Sequence, residues 1–185
     1  RTWEVLADVP SFPQYRGRLP DGFSRLAEPH LAVCQSGRLV AMARYEEKRD
    51  PMNPYGSVLW QFESEDGGRT WTEPHRTAII GKPPHLVVLK NGDLLVSYGF
   101  RHQPFGQRAC ISRDEGNTWE YEKELVIRSD APNGDLGYVS SIERANGGLL
   151  NVYYQIDKPG ELPSLWATLS DADFRRTLQK ARTSS

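Results

Sequence analysis

The sequence predicts an all-β fold built from repeated four-stranded antiparallel units, and three observations predict it. An eight-residue pattern, Ser-x-Asp-x-Gly-x-Thr-Trp, occurs twice, as SEDGGRTW at residues 64–71 and SRDEGNTW at residues 112–119. Three glycine-centred turns, at Gly37, Gly92 and Gly147, recur at an interval of 55 residues. Short apolar runs of strand length bracket every one of these turns. No segment carries a convincing helical period; the polar tail SDADFRRTLQKARTSS is the one stretch able to form a short helix.

HLAVCQ, HLVVLK and SSIERA form the strands before the turns, and RLVAMARY, DLLVSYGF and GLLNVYYQ the strands after them. Ser36-Gly37, Asn91-Gly92 and Asn146-Gly147 occupy the turns because these residues tolerate the positive φ that tight hairpins require. A third strand leads toward the box in SVLWQFES, QRACIS and SLWATLS, and a fourth follows each complete box in EPHRTAII and YEKELVIR. Four short antiparallel strands over roughly 40–55 residues are the pattern of a β-propeller blade.

The box falls in the turn between the third and fourth strands, where its residues are structural. Ser64 and Asp66, with Ser112 and Asp114 in the second copy, bond nearby backbone amides. Gly68 and Gly116 permit a positive φ. Thr70 and Thr118 complete the pattern, and Trp71 and Trp119 are expected to pack between neighbouring blades. One Asp per turn lacks the several oxygens that Ca²⁺ takes, and no Cys/His cluster has metal-ligand spacing, so neither metal nor cofactor is expected. The third unit keeps a remnant: SLWATLSDADF aligns with VLWQFESEDGG through Leu165-Trp166 and Ser170.

RTWEVL at residues 1–6 resembles the end of a box. The expected division is therefore the last strand of a preceding blade with its connecting loop (1–24), a blade with box 64–71 (25–80), a blade with box 112–119 (81–128), a blade with a degenerate box (129–174) and a polar tail (175–185). A formal net charge of −1, from 23 basic and 24 acidic residues, excludes the basic excess of a nucleic-acid partner. No apolar stretch approaches the roughly 18 residues of a membrane span, so no membrane partner is expected. Cys34 and Cys110 fall in different units and read as buried, reduced thiols, which leaves the compartment open.

Ser-x-Asp-x-Gly-x-Thr-Trp is the Asp-box, or BNR repeat, that marks the sialidase superfamily. AEPHLAVCQSGRLVAMAR, KPPHLVVLKNGDLLVSYGFRHQPFGQRACISRDEGNTW and DLGYVSSIERANGGLLNVYYQ resemble consecutive stretches of bacterial sialidase-family proteins, over about residues 25 to 170. The resemblance implies a six-bladed propeller, of which about three blades are present, with a site at one end of the central channel that acts on a terminal sugar. The Arg-Ile-Pro tripeptide of well-characterised exo-sialidases does not occur in the sequence, which leaves the sugar open.

Functional side chains are expected at the start of each innermost strand, where the blades border the channel. Glu28 there is a candidate general base or activator of a tyrosine. Sialidases use Tyr as nucleophile, and a phenol with pKa near 10 needs a carboxylate to take its proton. Asp135 and Tyr138, in NGDLGYVSS, therefore join Glu28 as catalytic candidates. Arg44, Arg101 and Arg108 are candidate anion binders, because guanidinium matches a carboxylate bidentately. His30 and His85 are candidate contacts to sugar hydroxyls. Tyr153 and Tyr154 read chiefly as sheet packing, with one of the two at the pocket edge. The expected partner is a glycan or small sugar. The function classes in play are a sialidase-like exo-glycosidase, a non-catalytic glycan-binding propeller, and a half-ring that forms a homodimer to complete the propeller.

Overall fold

The computed structural model of the chain describes residues 2–9, 26–46, 56–172 and 174. Eleven strands fall into three antiparallel sheets in chain order. The first sheet is β1 (Leu26–Val33), β2 (Leu39–Glu46), β3 (Ser57–Ser64) and β4 (His75–Arg76). The second is β5 (Lys82–Val88), β6 (Leu94–Phe100), β7 (Gly106–Ser112) and β8 (Leu125–Arg128). The third has three strands, β9 (Leu136–Glu143), β10 (Leu149–Gln155) and β11 (Ser164–Leu169). Each sheet is a simple meander, because each glycine turn returns the chain onto its neighbour. Gly37, Gly92 and Gly147 all have positive φ, at 93°, 89° and 83°. Among the described residues helix is confined to a 3-10 turn at Tyr121–Lys123, within the predicted fourth strand of the second unit, and to Phe174. The fold is all-β, a set of propeller blades.

The sheets stack face to face. One core lies between the first two: Cys34, Val40, Met42 and Leu59 meet Leu86, Leu94, Val96, Tyr98, Cys110 and Trp119. A second lies between the next two, where Leu89, Leu95, Ala109 and Ile111 meet Leu149 and Phe174. β6 is consequently buried along its whole length, as a strand covered on both faces must be. Gly99 and Gly137 make the second stack close: a methyl group on Gly99 would stand 2.7 Å from the Gly137 Cα. Both cysteines are buried and free, and burial pushes the Cys110 thiol up to about 12, which leaves it unreactive.

The boxes are structural fasteners. In the first, the Asp66 carboxylate accepts the Arg69 and Thr70 amides at 2.9 and 2.8 Å and the Thr70 hydroxyl at 2.7 Å. Ser64 Oγ donates to Asp66 and accepts the Gly68 amide. Asp114, Thr118, Ser112 and Gly116 repeat these bonds. The second box also grips the blade before it. Gln61 of β3 donates to the Gly116 carbonyl at 2.8 Å and accepts the Trp119 indole N–H at 2.8 Å. In the third unit Phe174 is buried against the second sheet, the face on which Trp119 meets the first. The degenerate box has thus kept its aromatic anchor although its aspartate and glycines are gone.

Residues 2–9 form no strand, and Trp3 and Val5 are exposed. The connecting loop expected at 10–24 and the tail at 175–185 lie outside the described residues.

Candidate active site

The starts of β1, β5 and β9 converge. Each carries a register shift against its neighbour, between Ala27 and His30, between Lys82 and Pro84, and opposite Val152–Tyr154. A bulge re-aims a side chain out of the sheet's alternation. The bulged positions, Glu28, Pro83 and Tyr138, are spaced by 55 residues (83 − 28 and 138 − 83), the interval of the glycine turns. Glu28 and Tyr138 both stand at φ 54°, a left-handed conformation that is uncommon outside glycine and worth functional scrutiny. Glu28-Pro29-His30, Pro83-Pro84-His85 and Tyr138-Val139-Ser140 line one cavity of about 230 Å³, one tripeptide from each blade.

Across that cavity the Tyr138 hydroxyl donates to Glu28 Oε1. Glu28 Oε2 faces Arg44 Nε at 3.2 Å, and both side chains are 27% exposed, partly shielded from water. Arg44 reaches Glu28 because it pairs with Ala27 across β1 and β2. The hydrogen bond to Glu28, and then burial, raise the Tyr138 phenol above its ordinary value, while Arg101 and Arg44 pull the other way. The phenol is therefore neutral at physiological pH, with a carboxylate poised to receive its proton. Arg101, just after β6, donates through Nη2 to the Tyr154 hydroxyl at 3.3 Å, and Tyr154 donates to Asp135 at 3.0 Å. The Tyr154 and Tyr138 rings lie 5.9 Å apart, and burial raises the Tyr154 phenol.

The two histidine rings pack tilted against each other, with centroids 4.2 Å apart. Each accepts a backbone amide from the next blade at Nδ1: Leu86 N donates to His30 at 3.1 Å, and Ser141 N to His85 at 3.3 Å. Nδ1 can accept only if the ring is neutral and its proton is on Nε2. Burial lowers His30, and burial followed by the charge of His30 lowers His85 to about 4. A folded-state value below the unfolded 6.5 makes neutral rings stabilising. That stabilisation is complete above about pH 6.5 and is lost as the pH falls through about 4 at His85. Melting curves between pH 7 and 4 are expected to fall across that window, with the His85 ring titrating near 4 by NMR.

The structure thus brings Glu28, Tyr138, Arg44, Arg101, Asp135, His30 and His85 to one end of the sheets. It does not bring Arg108 there. Arg108 lies in β7, the third strand of its blade, ion-paired with Glu124 and stacked 3.4 Å over Phe100. Tyr154 joins the cluster as the link between Arg101 and Asp135. The signal for that was its place on β10 opposite Gly137, which only strand register reveals.

Residues 11–153 match the family described as BNR repeat-like domain. A search of the curated proteins returns no match. Among solved structures, a Dyadobacter fermentans protein of unknown function is 28% identical with a TM-score of 0.65, over 78% of this chain and 37% of that one. A Hadza microbial sialidase is 22% identical with a TM-score of 0.64, over 90% of this chain and 35% of its own. A Fusarium graminearum α-L-arabinofuranosidase is 16% identical with a TM-score of 0.63, over 81% of this chain and 46% of its own. The chain therefore spans less than half the length of the structures it resembles. With its boxes, its meandering sheets and a family match over most of its length, the chain belongs to the BNR repeat-like domain family.

Proposed function

We propose that the protein carrying this chain is a sialidase-like exo-glycosidase that cleaves a terminal, acidic sugar with Tyr138 as nucleophile and Glu28 as its base. The observation that carries this reading is the hydrogen bond from the Tyr138 hydroxyl to Glu28, made between two blades and flanked by Arg44 and Arg101. The phenolic oxygen attacks the anomeric carbon as its proton passes to Glu28, and the bond to the leaving-group oxygen breaks, that oxygen taking up a proton from solvent. Water then attacks the anomeric carbon and gives one proton to solvent, the bond to the phenolic oxygen breaks, and that oxygen regains its proton from Glu28. Two displacements retain the anomeric configuration.

A neutral phenol suits an anionic substrate, since a carboxylate nucleophile would repel it. Arg101 supplies an anion contact, and the Nε2 groups of His30 and His85, with Ser140, offer contacts to hydroxyls. The relatives named as a sialidase and an α-L-arabinofuranosidase make terminal glycosides the substrate class to assay first. Turnover of fluorogenic sialosides or uronides is the test; silence on both panels sinks the reading. A non-catalytic glycan-binding propeller predicts no tyrosine–carboxylate pair, so the Tyr138–Glu28 bond supports hydrolysis over binding alone.

The third sheet carries Ile142, Val152, Leu165 and Leu169 exposed on one face. A further blade closes such a face, and a half-ring homodimer is one way to provide it. Light scattering of the purified chain reads that directly, and a stable monomer speaks against it.

A further inference from the structure

We infer that Tyr154 and Asp135 form a positioning pair that fixes Arg101 as the anion anchor of this site, and that Asp135 acts through Tyr154 and not as a proton donor to substrate. The inference rests on the reading of the site as one for an acidic sugar.

A phenol has a single proton to give. Tyr154 gives its proton to Asp135 at 3.0 Å, so its oxygen presents a lone pair, and Arg101 Nη2 donates to it at 3.3 Å. The Asp135 carboxylate at the far end of this relay polarises the phenol and strengthens the bond to the guanidinium. Backbone completes the cradle. Arg101 Cβ lies 3.5 Å from the position a methyl group would take on Gly134, and Arg101 Nη2 lies 3.4 Å from that position on Gly137. Asp135 stands between those glycines in sequence, so one short segment both packs against the Arg101 side chain and supplies the carboxylate that anchors it.

Arg101 is otherwise uncommitted. Its Nε is shielded from solvent and has no hydrogen-bond partner among the described residues, and no ion pair to it is found among them. Arg44, by contrast, spends its charge on Glu28. A guanidinium held at one corner by a neutral oxygen keeps its full charge for a ligand, whereas one paired to a carboxylate does not. Direct contact between Arg101 and Asp135 would neutralise the anchor, and Tyr154 between them avoids that.

The variants are Tyr154→Phe, Asp135→Asn and the double change, each with a melting curve to confirm folding. The Arg101 side-chain Nε–H signal in a 15N-labelled sample is expected to be sharp and slow to exchange with solvent in the parent chain. It should broaden and exchange faster in Tyr154→Phe and, to a lesser degree, in Asp135→Asn. Affinity for N-acetylneuraminate, read by titration calorimetry, should fall about tenfold or more in Tyr154→Phe, the scale of one charged hydrogen bond. Binding of its uncharged methyl ester should be unchanged. Where turnover is measurable, KM should rise and kcat hold. An unaltered Arg101 signal in Tyr154→Phe overturns the inference, as does a loss confined to kcat in Asp135→Asn, which would make Asp135 a proton donor. If the parent chain binds neither sugar yet Tyr154→Phe still frees the Arg101 signal, the positioning stands and the substrate reading falls.

Discussion

Tyr138→Phe is expected to lower turnover of an acidic aryl glycoside by about 10³-fold or more, with the fold intact. The change removes one oxygen from a side chain that is 53% exposed, so the packing loss is small. What disappears is the atom that would bond to the anomeric carbon. Glu28→Gln should cost about 10²–10⁴-fold, since an amide cannot take the phenolic proton. The two losses should not add, because the residues act as one unit. The raised phenol makes a further point checkable. Its neutral form is favoured, so ultraviolet titration should show Tyr138 ionising above pH 10 in the parent chain and closer to 10 in Glu28→Gln. A Tyr138→Phe protein that retains turnover within tenfold would rule out the phenol as nucleophile.

Trp119→Ala should destabilise the chain by about 3–5 kcal/mol, the cost of truncating a buried large aromatic. The indole is 9% exposed and joins the core between the first two sheets. Its loss also strands the Gln61 amide oxygen, which the indole N–H satisfies at 2.8 Å. For a chain of this size, about 2–4 °C per kcal/mol converts that to a drop in Tm of roughly 10 °C. Trp71 occupies the same place in the first box but is only partly buried, against a smaller cluster. Trp71→Ala should cost clearly less. Gln61→Leu is a second probe, expected at about 1–3 kcal/mol, since it leaves the indole N–H and the Gly116 carbonyl unpaired. Equal losses at Trp71 and Trp119 in thermal melts would refute the idea that the second tryptophan fastens one blade to another.

Much of this architecture is a local property. Glycine turns, apolar runs of strand length and the Ser/Asp/Gly/Thr geometry of the box all act within a few residues. That is why their number and order were legible in the chain, down to hydrogen bonds such as Asp66 to Thr70, four residues apart. That Glu28, Pro83 and Tyr138 share the same 55-residue interval became visible only with the register shifts at the strand starts. The limits appear where a local pattern is altered. Phe174 follows Ser170 by four positions where Trp119 follows Ser112 by seven, and the shortened spacing hid an anchor that keeps its partner surface.

The blades, their turns, their fasteners and the residue types gathered at the strand starts are all written into the chain. Which of those residues meet is a property of the folded molecule. Arg101 and Arg108 flank the same loop and look equal in sequence; one reaches Tyr154 and the other is held by Glu124 inside its own blade. Glu28 and Tyr138 are separated by 110 residues, and their contact exists only when three sheets stack with their bulges aligned. The physical reason is one of range. Turns and strands answer to backbone torsion and nearest neighbours, whereas a side chain's distance from the propeller axis depends on strand register and on how closely Gly99 and Gly137 let two blades approach.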